Sequence, residues 1–205
     1  MASLFSAIVE CSILPLDCTR RAWLVGPMRF FIPLFFACSL HALDRAAIMK
    51  IADQPHDRSN ILAELAIYPD AREYKVSAQG GPVGGDLVAM PSPRVKEKIV
   101  RGRYVVTEVK FPNREKPMIM VVTFDKEQKS FKKWILAPGL DKVIECTGIG
   151  DLKKRTIAWM NEGPLEGETT LSIESQSDEE SRWKEVTYKE GKAVRILRGR
   201  ALKIK

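Results

Sequence analysis

The sequence predicts an all-β fold, an antiparallel meander closed as an up-and-down barrel of about 8 to 10 strands behind an export signal. Three observations predict it. Downstream of residue 94, short runs rich in Val, Ile, Thr and aromatic residues recur with turn residues between them, one strand and turn per about 12 residues. No segment of helical period interrupts these runs, which disfavours a parallel sheet with crossover helices. A meander of that length must deal with its edges, and closing on itself does so.

Of the 205 residues, 45% are hydrophobic and 29% charged, a balance that suits one globular domain. Residues 1–42 read as a leader. Arg29 precedes the apolar run Phe30-Phe31-Ile32-Pro33-Leu34-Phe35-Phe36-Ala37, and Leu40-His41-Ala42 offers a small residue for cleavage. The run is short and broken by Pro33, whereas a membrane span needs about 20 apolar residues. Met28 is an alternative start. Thr19-Arg20-Arg21-Ala22-Trp23-Leu24 is an alternative twin-arginine signal, and Ala37-Cys38 an alternative lipid-attachment site. The expected location is the periplasm or the exterior, with membrane association only through the leader or a lipidated Cys38.

Residues 43–60 are polar and without period, and read as a linker. The barrel domain is expected over 61–205. A short helix over 61–67, capped by Ser59 or Asn60, stops at Tyr68-Pro69. Glu73-Tyr74-Lys75-Val76-Ser77 alternates as a first strand, and the glycine-rich stretch 80–85 reads as a loop. Nine further strands are expected over 95–101, 103–111, 118–124, 131–137, 143–148, 155–160, 169–175, 182–188 and 193–204. Turns are expected over 125–130, 138–141, 150–153, 161–164, 177–180 and 189–192.

Certain residues carry a resemblance. Gly102-Arg103-Tyr104 follows a charged strand; Val121-Val122-Thr123-Phe124-Asp125 is followed by Phe131 and Trp134; Gly148 and Glu185-Val186-Thr187-Tyr188 come later. Over residues 96–204 this pattern resembles a bacterial family of lipocalin-like (calycin) β-barrels that has no assigned activity. The Gly-x-Trp that commonly opens the family is absent from residues 61–76. The resemblance implies the barrel and an apolar cavity; it transfers no catalytic residue.

Residue chemistry narrows the function. Of two histidines and four cysteines, only His56 and Cys146 lie beyond residue 42, too few for a zinc or iron site built from those ligands. His56, in the polar linker, has no rigid scaffold to make it a catalytic base. Cys146, in an alternating strand, reads as a small buried apolar residue. The glycine-rich stretch lacks the lysine and helix of a phosphate loop. A net charge of +7 over this length announces no nucleic-acid partner. No catalytic residue, metal or cofactor is assigned. Carboxylate chemistry, for example by Glu108 and Glu145, ranks last, because both read as solvated strand charges.

The favoured expectation is a non-catalytic barrel that binds an apolar small molecule against Tyr104, Met120, Trp134, Trp159 and Trp183. The alternative is a barrel with a filled interior that meets an anionic surface through Arg195, Arg198, Arg200 and Lys203 of its basic last strand.

Overall fold

The computed structural model describes residues 43–68, 70, 72–162 and 165–204, so the predicted leader lies outside the described residues. The strands are β1 (Arg72–Pro82), β2 (Val88–Ala89), β3 (Arg94–Val100), β4 (Tyr104–Lys110), β5 (Met118–Asp125), β6 (Ser130–Leu136), β7 (Ile144–Asp151), β8 (Thr156–Glu162), β9 (Glu168–Gln176), β10 (Glu180–Lys189) and β11 (Lys192–Lys203). All nine strands expected beyond residue 94 are present. From β3 to β11 each pairs antiparallel with its neighbours in sequence, and β1 joins β3 to β11. The β1–β11 ladder runs from Tyr74 opposite Lys203 to Pro82 opposite Arg195. It closes a ten-stranded antiparallel barrel, with the two-residue β2 appended to β1 at Gln79–Gly80. The glycine-rich stretch is therefore only half loop, since Gly80, Gly81 and Pro82 complete β1.

Local chemistry explains the hairpins. Asp125 Oδ1 accepts from the N–H groups of Glu127 and Gln128, and Asp151 Oδ1 from those of Lys153 and Lys154. Each loop then ends on a basic residue of positive φ, Lys129 or Arg155. These aspartate side chains stand in for turn carbonyls. Glu190-Gly191 has positive φ at both positions, the two-residue turn whose twist suits a hairpin, and Arg101-Gly102 has the same conformation in the three-residue loop between Val100 and Tyr104, where the Arg103 N–H donates to the Val100 carbonyl at 3.0 Å.

Residues 43–60 are not a linker. They hold helix α1 (Arg45–Ala52), whose Asp44 cap accepts from the Ala47 N–H at 2.7 Å. Its apolar face sets fully buried Ile48, with Ile51 and Ala52, on Val106, Ile119, Val121, Trp134 and Leu136 of the outer wall. At eight residues the helix is too short for its period to stand out beside the polar stretch that follows.

Next comes a 3₁₀ helix (Ala63–Ile67) that plugs the barrel, with Leu65, Ile67 and Tyr68 buried among Ile99, Val105, Val122, Phe131, Ile157 and Trp159. Its cap position is Leu62, with no side-chain cap bond, so neither Ser59 nor Asn60 caps it. The β3–β4 turn holds the plug instead. The Gly102 N–H donates to the Asp57 carbonyl, and the Leu62 N–H donates to the Gly102 carbonyl, both at 2.9 Å. A Cβ on Gly102, at φ +60°, would lie 2.2 Å from the Ser59 carbonyl oxygen. Gly102→Ala is expected to lower stability by about 2 kcal/mol in urea unfolding, through both strain and displacement of the plug. A loss below about 0.5 kcal/mol would show that the turn does not hold the plug.

Candidate functional site

Side chains alternate between the two faces of a strand, so the pairing registers carry one parity around the barrel. Opposite Glu97 stands Thr107, then Met120, then Ile135, then Ile144. Lys133 stands opposite Cys146, Trp159 opposite Ser172, Glu174 opposite Trp183, and Trp183 opposite Gly199. This parity is the lumen, because Lys133 on β6 reaches Glu174 on β9 across the interior.

Glycine makes room there for aromatic rings. A Cβ on Gly148 would lie 2.6 Å from the Trp159 ring, one on Gly150 2.4 Å from Phe131, and one on Gly199 2.3 Å from Trp183. Each ring thus lies against bare backbone, and Phe131 meets Phe124 and Trp159 edge-on at 5.0 and 6.2 Å.

Amid these rings sits a charged group. Lys133 Nζ lies 3.3 Å from Glu174 Oε2 and 3.9 Å from the centroid of the Trp159 ring. Trp159 Nε1 donates to the same carboxylate oxygen at 3.0 Å, and Gln176 Nε2 to the other at 2.5 Å. Glu97 accepts a hydrogen bond from the Thr107 hydroxyl at 3.1 Å. Burial, then the charge of Glu174, push its carboxyl up to about 8, against smaller opposing contributions from Thr107 and Arg72. Glu97 therefore stays protonated at neutral pH. Its Oε1 and the Tyr68 hydroxyl are sealed from solvent without a hydrogen-bond partner. The Tyr68 hydroxyl is raised well above the usual phenol range, by burial first and then by Glu174 and Glu97.

The lumen is also lined by half-buried apolar side chains, Ile135 and Ile144 packed against the plug's cluster and Met118, Met120 and Trp183 against a second cluster of Tyr74, Val76, Val95, Val109 and Ala201. Met118, Met120, Ile135, Ile144, Trp183 and Leu197 share the inward parity, yet all remain half-buried. Glu185 joins this lining, its carboxyl raised by burial against the charges of Arg195 and Lys133. The arrangement offers apolar walls over a paired charge. Cys146 faces the lumen and is buried, as expected, and burial pushes its thiol up to about 11.

The predicted residues divide between the faces. Met120, Trp159 and Trp183 are lumenal. Tyr104 and Trp134 are not: Trp134 is buried under α1, and Tyr104 lines a 160 Å³ hollow between α1 and the outer wall. Apolar residues on both faces of β4 to β6 concealed that difference. Of the basic candidates, Arg198 and Arg200 point outward. Arg195 and Lys203 share the lumenal parity with Leu197, Gly199 and Ala201, and come within 4.0 Å of Glu168 and Glu179 respectively. Glu108 and Glu145 are exposed and outward-facing, and do not converge.

His56 is not without a scaffold. Its Nδ1 accepts from the Ile99 N–H at 3.2 Å, and its Nε2 lies 3.2 Å from Asp70. It thereby caps the edge of β3 beyond the point where β1 begins, beside an outer groove of about 480 Å³ lined by Ala52, Arg72, Glu97, Val106 and Ile119 among others. Among the described residues no His, Cys, Asp and Glu cluster has a metal-binding arrangement. No helix among them is long and apolar enough to cross a membrane. No family model matches the sequence, and no curated protein matches it.

Proposed function

We propose that this protein is a non-catalytic, lipocalin-like binding barrel that takes the apolar body of a small molecule into its lumen. The observation that carries this reading is the half-buried lining of Met118, Met120, Ile135, Ile144, Trp183 and Leu197, inward-facing apolar side chains that the barrel's own core leaves partly uncovered. Lys133 and Glu174 form the polar floor and orient a ligand's polar end. Delivery of an apolar ligand outside the cytoplasm is the role we assign to the barrel, in keeping with the export signal read from residues 1–42.

The test is a fluorescence titration with parinarate, an apolar chain bearing one carboxylate. Wild-type protein is expected to bind it one to one. Met120→Trp, which fills the lumen, is expected to weaken binding at least about tenfold while the protein still unfolds cooperatively. Met160→Ser, on the outer wall, leaves binding unchanged. Equal binding by Met120→Trp and wild type would remove the lumen from the account.

A further inference from the structure

The outer wall of β7 to β11 breaks the rule that the solvent face of a sheet is polar. Ile149, Met160, Leu171 and Ile173 are 54%, 56%, 36% and 43% exposed. They are contiguous: Ile149 pairs with Ala158, Ala158 with Ile173, and Met160 with Leu171. The same rows continue into basic residues. Ile173 faces Lys184, which faces Arg198; Ser175 faces Arg182, which faces Arg200. Arg198 and Arg200 bond to the neutral side chains of Gln79 and Ser77, at 3.2 and 3.4 Å.

A barrel wall is convex, so exposed aliphatic side chains on it cannot enclose a small molecule. A second copy docked patch to patch about a two-fold axis would bring two ladders of like charge together, which disfavours that occupant. Apolar side chains beside guanidinium and ammonium groups match an anionic bilayer, whose acyl boundary takes the first and whose phosphates take the second. We propose that the outer wall of β8 to β11 docks on an anionic phospholipid surface, Met160, Leu171 and Ile173 entering the interface while Lys184, Arg198 and Arg200 meet headgroup phosphates. This contact is separate from the lumen and from any held by the leader.

The experiment is co-sedimentation of the full chain with vesicles of phosphatidylcholine, alone or with about a third phosphatidylglycerol. Wild type is expected to bind the anionic vesicles at least about tenfold more tightly than the neutral ones. Arg198→Glu with Arg200→Glu removes that preference. Met160→Glu with Ile173→Glu weakens anionic binding at least about tenfold, and Met160→Ser with Ile173→Thr repeats the loss with residues that suit a strand. All these positions are exposed, so thermal unfolding and parinarate binding stay at wild-type values. Anionic binding unchanged in both charge-altered pairs would overturn the proposal. So would a wild-type dimer that Met160→Glu with Ile173→Glu converts to monomer, because the occupant would then be a second copy.

Discussion

Lys133→Met is expected to lower stability by about 3 kcal/mol at neutral pH, measured by urea unfolding. The substitution keeps a stem over the Trp159 ring but removes the cation from Glu174. That carboxylate is only 19% exposed and its ammonium partner 13%, so water cannot replace the lost charge. Trp159 Nε1 and Gln176 Nε2 still donate to it, which keeps the cost finite. Adding Glu174→Gln removes the stranded charge and retains an acceptor for the indole. The double variant should recover more than half the loss, as expected when a buried pair is removed whole. If Lys133→Met cost less than about 1 kcal/mol, or the double variant were no better than the single, the lumenal pair would not be the electrostatic centre of the core.

Glu97→Gln is expected to stabilise the protein, increasingly as pH rises. Below pH 4.5 the folded and unfolded chains both carry Glu97 protonated, so its burial costs no charge. Between 4.5 and about 8 the unfolded chain ionises while the folded one does not, and stability falls across that window. Above 8 the penalty levels off. Glutamine accepts from Thr107 as glutamate does but has no proton to lose. The difference between variant and wild type should be near zero at pH 4 and reach about 2–3 kcal/mol at pH 8. A difference that does not change with pH, or a variant less stable than wild type at pH 8, would show that Glu97 is ionised in the fold.

Strands and their connections were legible because each run alternates and each turn carries its own chemistry, Asp125 and Asp151 accepting from their loops and Gly102 and Gly191 supplying positive φ. Closure was not legible in the same way. The ladder of β1 with β11 joins residues more than a hundred positions apart, and no local pattern announces it. Sidedness was the second difficulty. β5 reads apolar on both faces because the lumen covers one and α1 the other, so Tyr104 and Trp134 looked as lumenal as Met120. A signal for the charged floor was present in Lys132-Lys133: two consecutive lysines in a strand must point to opposite faces, so one of them enters the barrel. Glu97, between Lys96 and Lys98, carries the same signal. The basic last strand misled by the same alternation, because Arg195 and Lys203 face inward while Arg198 and Arg200 face out.

Ligand entry into the lumen is distinguished from a site on the outer wall by methionines on both faces, Met118 and Met120 inside and Met160 outside. Methyl-labelled methionine NMR of the full chain, titrated with parinarate, tests it directly. The Met118 and Met120 methyl resonances are expected to shift in a saturable, one-to-one manner while those of the exposed Met90 and Met160 do not move. Shifts at Met160 with Met118 and Met120 unmoved would contradict entry into the lumen, and would place the apolar ligand on the outside of the barrel.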